Sequence, residues 1–201
     1  MHHESTGIVV ENNARDTCFL TSSALVCTSD SDRRFIDTLK IKVHLPNDLV
    51  VDGWIRQYAL PSSMVIIKTK FSPDLSTACF SNCVQVEPQT ELLAVKRCFK
   101  SGKLMVTHGV PSDGPSEVGT KGFMLSTCKI TMDGSGGPVV DFDGNIVGMN
   151  DCHDQEGARY VQGNKIVECL NSFWSWEEVR KHCMQNCTSA WKRRLEVFHY
   201  R

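Results

Sequence analysis

The sequence predicts an all-β fold that ends in helix. Most of the chain divides into short apolar runs separated by turn-forming residues, the pattern of a sandwich or barrel. One Asp-Gly pair, Asp143-Gly144, stands between two apolar runs, as a tight hairpin requires. The tail then changes to helical spacing and capping chemistry.

The expected strands, in order, are Thr6 to Val10, Thr17 to Thr21, Leu39 to Leu45, Leu49 to Leu60 and Ser63 to Thr69. They continue with Glu91 to Phe99, Lys103 to His108 and Phe123 to Ile130. From Leu39 to Leu45 apolar residues alternate with Lys40, Lys42 and His44, the period of a half-buried strand. Leu45-Pro46-Asn47-Asp48 is a turn, so Lys40 to Arg56 reads as a hairpin. The Asp-Gly turn pairs Pro138 to Phe142 with Ile146 to Met149. Val110 to Gly122, rich in Gly and Pro, reads as an exposed loop. In the tail, Ile166, Leu170 and Phe173 recur at helical steps within Asn164 to Phe173. Ser175 and Glu178 have capping-box spacing ahead of a second helical run, Trp176 to Asn186. Trp174, Trp176 and Trp191 are expected to anchor this tail to the body, with an exposed interaction face as the alternative. No repeat of fixed period is present.

Composition narrows the function classes. At 201 residues the chain suits one domain with a substantial core, and 41% hydrophobic with 22% charged residues is ordinary for a globular protein. A net charge of −1 gives no drive toward nucleic acid or anionic membrane, and Lys192-Arg193-Arg194 reads as a solvated face. No apolar run is long enough to span a membrane. The opening MHHESTGIVV lacks the parts of a signal peptide, so an intracellular protein or a fragment of a longer chain is expected. In that setting the 10 cysteines are expected as thiols. Cys18, Cys27, Cys98 and Cys128 sit in apolar runs, where a thiol behaves as a small hydrophobe. Cys183 and Cys187, with His182, lack a second paired set at zinc spacing, so no metal site is expected. No cofactor is implied.

The segment with chemical logic is Gly134-Ser135-Gly136-Gly137-Pro138. A nucleophilic serine must project while backbone N–H groups point at a developing oxyanion, and glycines permit that tight backbone. Proline then fixes φ as the chain enters the next strand. Together with PVVDFDGNIVGMN, the segment resembles the serine loop and hairpin of trypsin-like serine peptidases, most closely the Deg/HtrA branch, as a degenerate plant-type relative. Ser5 to Val10 resembles that branch's opening strand, and Phe19 to Val26 its I-L-T-x-x-H-V-V segment. Ile41 to Ile55 resembles the next hairpin, and Ser62 to Lys68 the T-D-I-A-V-L-K segment. The resemblance implies a two-lobed double β-barrel over residues 1–173, with the lobes meeting near 85–105, then a helical tail over 174–201.

It also implies where catalysis would sit. Ser135 matches the nucleophile, and Asp133, Gly134 and Ser135 match the oxyanion loop. Ala24 stands at the histidine position, Ser63 at the orienting aspartate, and Asp133 where the family has glycine. Without an imidazole the serine hydroxyl has no group to take its proton, and triad members act as a unit. His153, between Asp151 and Asp154, reads as part of an exposed loop cluster, and His108 has no distinctive partner. The first reading is therefore an impaired peptidase-fold domain with a peptide or protein ligand. An active hydrolase with a displaced base, and a β-barrel binding module that shares GSGGP by chance, stand beside it. The sequence leaves the oligomeric state open.

Overall fold

The computed structural model describes residues 3–28, 36, 39–70, 75–80, 86–112, 122–151 and 158–174, and the backbone of 197–200. Its strands are β1 (Ser5–Asn12), β2 (Asp16–Ser22), β3 (Ile41–His44), β4 (Val50–Ala59) and β5 (Met64–Lys70). They continue as β6 (Leu92–Arg97), β7 (Leu104–Gly109), β8 (Pro111–Ser112), β9 (Phe123–Ser126) and β10 (Pro138–Asp141). The last are β11 (Ile146–Asn150), β12 (Ala158–Gln162) and β13 (Val197–Tyr200); α1 spans Gly163–Phe173.

These strands form two curled antiparallel sheets. The first is a closed barrel in the order β1-β13-β3-β4-β5-β2. The second runs β7-β6-β10-β11-β12-β9-β8. Gly109 ends β7 and Pro111 begins β8, yet these strands stand at opposite ends of the order, so this sheet must curl round on itself. At the join Thr127 N donates to Val110 O (2.9 Å), and Val110 N donates to Thr127 Oγ1 (2.9 Å). The all-β, double-barrel expectation with a C-terminal helix matches this architecture. Before β13 the first sheet runs to Lys70, and the second begins at Leu92, so Leu92 to Arg97, inside the expected boundary of 85–105, belong wholly to the second.

Strand alternation builds three cores. Val9, Phe19, Val43, Val65 and Ile67 fill the first barrel. Their neighbours Ile8, Leu20, Met64 and Ile66 face the opposite way and meet Val140, Met149, Val161 and Ile166. Leu92, Ala94, Val139, Val147 and Tyr160 fill the second sheet's interior. Strands β1, β2 and β5 are thus buried on both faces, which explains their continuous apolar runs. By contrast β3 keeps the alternation read from sequence, with Ile41 and Val43 buried.

Both hairpins expected from turn chemistry form. Ile41 to His44 pair with Val50 to Gly53 across a turn in which Asp48 has φ 61°. Gly144, at φ 81°, turns β10 into β11, and Asp141 accepts hydrogen bonds from Asn145 N and Nδ2, each at 2.7 Å. The strand expected from Phe123 to Ile130 stops at Ser126, where Thr127 turns to Val110. Pro111 and Ser112, read as loop, pair with β9; residues 113–121 lie outside the described residues.

The expected helix over Asn164 to Phe173 is α1, with Ile166 and Leu170 buried. Trp174 closes it: its indole Nε1 donates to Glu11 (3.0 Å), and Arg56 lies over its ring at 5.4 Å. Arg56 also reaches Glu11 at 2.6 Å and the Cys18 thiol at 3.1 Å. Trp176, Trp191, Cys183, Cys187 and the helix over Trp176 to Asn186 lie outside the described residues. The helical tail read for 174–201 is corrected at its end: Val197–Tyr200 is a strand paired with both β1 and β3, whose edges the barrel must join. Cys18, Cys27 and Cys128 are buried thiols. Cys98 is not: it is half-buried after β6, and hydrogen bonds from the Ser101 side chain and the backbone of Ser101 and Lys100 lower its thiol pKa.

Candidate active site

Ser135 lies in the seam between the two sheets and is almost completely buried. It follows a single 3₁₀ turn, Met132–Gly134. On one side its carbonyl accepts hydrogen bonds from Thr6 N (2.9 Å) and Ser5 Oγ (2.6 Å) in β1. On the other, Gly136 N donates to Asn150 O (2.7 Å) and Asn150 N to Gly137 O (2.7 Å), which fastens the loop to β11. Gly136 has φ +85°, and a Cβ there would lie 2.2 Å from both Thr21 Oγ1 and Thr6 O. The serine loop is wedged against the first barrel as tightly as a backbone can be.

The other two positions come from that barrel. Ala24 lies in the 3₁₀ turn Ser23–Leu25, directly after β2, and its N–H donates to Ser22 Oγ (3.2 Å). Ser63 follows the turn Leu60–Ser62 and is buried, in the left-handed region at φ 53°. Ser23 N donates to Ser63 O (2.9 Å), so these turns are joined by main chain. Gly136 would meet Ser22 N at 2.7 Å if it carried a Cβ, which brings the serine loop to the residue that caps the Ala24 turn. The turns that carry Ser135, Ala24 and Ser63, far apart in sequence, are therefore neighbours in the fold.

Asp133 is turned toward a cation. Lys96 Nζ donates to both carboxylate oxygens, at 2.9 and 3.1 Å, and Thr131 donates to Oδ1. Burial pushes the Asp133 carboxyl up, but the bonds from Thr131 and Lys96 and the lysine's charge outweigh it, holding it below its ordinary value. Thr6 Oγ1 donates to the Asp133 carbonyl (2.7 Å).

Two of the N–H groups in the loop Asp133-Gly134-Ser135 are engaged by carbonyls. Ser135 N donates to Met132 O at 3.0 Å, and Gly134 N to Thr131 O at 2.8 Å. Both bonds belong to the tight turn itself. Sequence shows the glycines that let the loop turn, but not which way its peptides face.

Two further groups were not read from sequence as parts of the site. Asp151, grouped there with an exposed loop, is buried and bound by Arg159 through Nη2 (2.5 Å) and Nε (3.1 Å). It also lies 3.3 Å from Ser22 Oγ, beside the Ala24 turn. His153 and Asp154 lie outside the described residues. His108 is exposed on β7, 3.3 Å from Glu91. Among the described residues no group of three or more His, Cys, Asp or Glu side chains is placed to hold a metal, and no helix is long and apolar enough to cross a membrane.

Two curled sheets, with a glycine-flanked serine carried by the second and seated in the seam with the first, define a trypsin-like peptidase fold. A model of the trypsin-like peptidase domain matches residues 5–149, and the chain belongs to that family. It is similar to the putative protease Do-like 14 of Arabidopsis thaliana, 28% identical over 118 residues, which cover 55% of this chain and 27% of that relative. The chain thus matches about a quarter of the relative's length. This agrees with the Deg/HtrA-like branch that the serine hairpin resembles. Its fold is that of the serine endoprotease from Yersinia pestis, with a TM-score of 0.65 at 14% identity, covering 84% of this chain and 57% of that one.

Proposed function

We propose that this chain is a serine-protease homologue impaired in turnover, a plant-type member of its branch that keeps the fold to hold a peptide or protein ligand. The observation that carries this reading is Ala24: the turn beside the serine loop offers a methyl group where an imidazole must take the Ser135 proton. Ser63, in place of a carboxylate, leaves nothing to orient a base. The turn bond from Ser135 N to Met132 O supports the same reading, because an N–H held by a carbonyl is not free to stabilise a tetrahedral intermediate. A displaced base is poorly served by Asp151, whose carboxylate is already committed to Arg159.

The test is labelling with a fluorophosphonate probe. The wild-type chain is expected to stay unlabelled under conditions in which an active serine peptidase reacts fully. Labelling that is strong in wild type and lost in Ser135→Ala would overturn the proposal in favour of a working hydrolase.

A further inference from the structure

We propose that the outer edge of β7 is a docking site for an extended segment of another protein, one that reads apolar first and acidic toward its C-terminus. The site is separate from Ser135 and does not depend on how that serine is read.

β7 stands at the end of its sheet. Leu104 to Gly109 pair with Arg97 to Leu92 on one side, and among the described residues no strand pairs with the other side of 104–108. Leu104, Met105 and Val106 are 47%, 46% and 54% exposed. Successive strand residues point to opposite faces, so three in a row this open leave neither face covered. An open edge presents a row of N–H and C=O groups ready to pair, and protein chains ordinarily blunt such edges with charge, proline or brevity. Between Lys103 and His108 this strand has neither charge nor proline.

The charges around the edge decide what fits it. Lys103 enters β7 and Lys100 lies in the hairpin before it, where Cys98 N donates to Lys103 O at 2.8 Å. Both lysines are exposed, and neither makes an ion pair among the described residues. At the far end His108 is held by Glu91 at 3.3 Å and meets the ring of Phe142, which is 62% exposed, edge-on at 5.7 Å. One end therefore carries the unpaired cations, and the other the His108–Glu91 pair beside the exposed ring of Phe142. Every pairing in this sheet is antiparallel. An antiparallel newcomer sets its N-terminal half against Val106, His108 and Phe142, and its C-terminal half against Lys103 and Lys100. Main-chain bonds would supply affinity and the lysines direction, the mode of β-strand addition. A second copy of this chain fits less well: β7 against β7 sets Lys103 across from His108 and Gly109 and gives neither lysine an anion.

The experiment is fluorescence anisotropy with the full chain and a labelled peptide of about ten residues, Val/Thr alternation followed by Glu and Asp. Binding is expected in both wild type and Ser135→Ala, weakening as salt rises. Reversing the peptide's order, or N-methylating alternate amides, should each weaken it about tenfold or more. So should Lys100→Glu combined with Lys103→Glu, exposed changes that leave the core alone. No binding, or binding indifferent to peptide order and N-methylation, overturns the proposal. A dimer that dissociates in Val106→Lys and takes no peptide also overturns it, and assigns the edge to a second copy.

Discussion

At Gly136 the backbone leaves no space for a side chain. Its φ is +85°, and a Cβ would press on the Thr6 carbonyl and Thr21 hydroxyl at 2.2 Å, atoms that belong to the other barrel. Neither can retreat, because Thr21 Oγ1 and the Thr6 carbonyl are hydrogen-bonded to each other and Ser5 Oγ bonds Thr21 Oγ1 at 2.8 Å. Gly136→Ala is therefore expected to cost more than about 3 kcal/mol, from strain and the parting of the seam together. Urea unfolding would show it as a lower midpoint at unchanged slope. Asp133 gives a milder, pH-dependent effect. Its carboxyl titrates below its ordinary value when folded, so the ionised form is the one the fold favours. That contribution is fully present above the unfolded-state value and disappears as the pH falls through the lower folded one. The group is partly open to solvent, so the gain is on the order of 1 kcal/mol or less. Asp133→Asn should accordingly lose that contribution, about 1 kcal/mol or less, near pH 7 and converge with wild type in acid, which flattens the acid side of the stability–pH profile; an unchanged acid limb would show that Lys96 contributes nothing there. The identities of Ala24, Ser63 and Ser135 were legible in sequence because a missing side chain is visible in the letters. The bond from Ser135 N to Met132 O was not, since peptide orientation within a glycine-flanked turn leaves no mark on composition.

Among the elements, those with a local signal were readable. The alternation in β3 and the Asp-Gly turn of the β10–β11 hairpin carry their own geometry in two to seven residues, and both formed where expected. β12 was missed: Ala158 to Gln162 follows a polar stretch and mixes Arg159 and Gln162 with Tyr160 and Val161, so it shows no clean period. Its burial is set by β9 and β11 on either side. The polar group that joins α1 to the first barrel was equally hidden, because Glu11, Cys18, Arg56 and Trp174 come from four separate stretches. Within it, burial and the Glu11 charge outweigh Arg56 and push the Cys18 thiol up to about 12. An unfolded thiol ionises near its ordinary 9.0, whereas the folded one stays neutral well above that, so folding is opposed as the pH rises between the two values. Stability should fall on the order of 2–4 kcal/mol across that alkaline interval from this group alone. Tyr160, also pushed up to about 12 by burial and the nearby Cys128, adds to the slope. Cys18→Ala is expected to be less stable at neutral pH through the lost packing, yet to show a shallower decline above pH 9. Parallel alkaline limbs for the two chains would remove Cys18 as the cause.

For the whole molecule, the arrangement of the two sheets depends on where they close. The second closes through its own curl, since β7 and β8 are consecutive in sequence yet stand at opposite ends of the sheet. The first closes through β13, a segment 127 residues beyond the last of that barrel's other strands by the difference between Val197 and Lys70. It is inserted between β1 and β3 with the registers Ser5↔Tyr200 and Tyr200↔Val43. No local pattern could announce such a pairing: a four-residue strand becomes one only because two edges wait for it. Without it, β1 offers an open edge directly behind the residues that seat the serine loop, for Thr6 and Ser5 hold the Ser135 carbonyl from that strand. Removal of residues 197–201 should therefore act on both the barrel and the seam. A loss of about 2–3 kcal/mol is expected, a fall in Tm of about 4–12 °C for a domain of this size, read by calorimetry. Protection of the Thr6 amide against hydrogen exchange should drop with it, because Thr6 N donates to Ser135 O across the seam. The freed edges of β1 and β3 should also make the truncated chain associate at concentrations where the full chain does not. An unchanged Tm with unchanged Thr6 protection would mean that the barrel holds its shape without β13, and that the serine loop is seated by β1 and β2 alone.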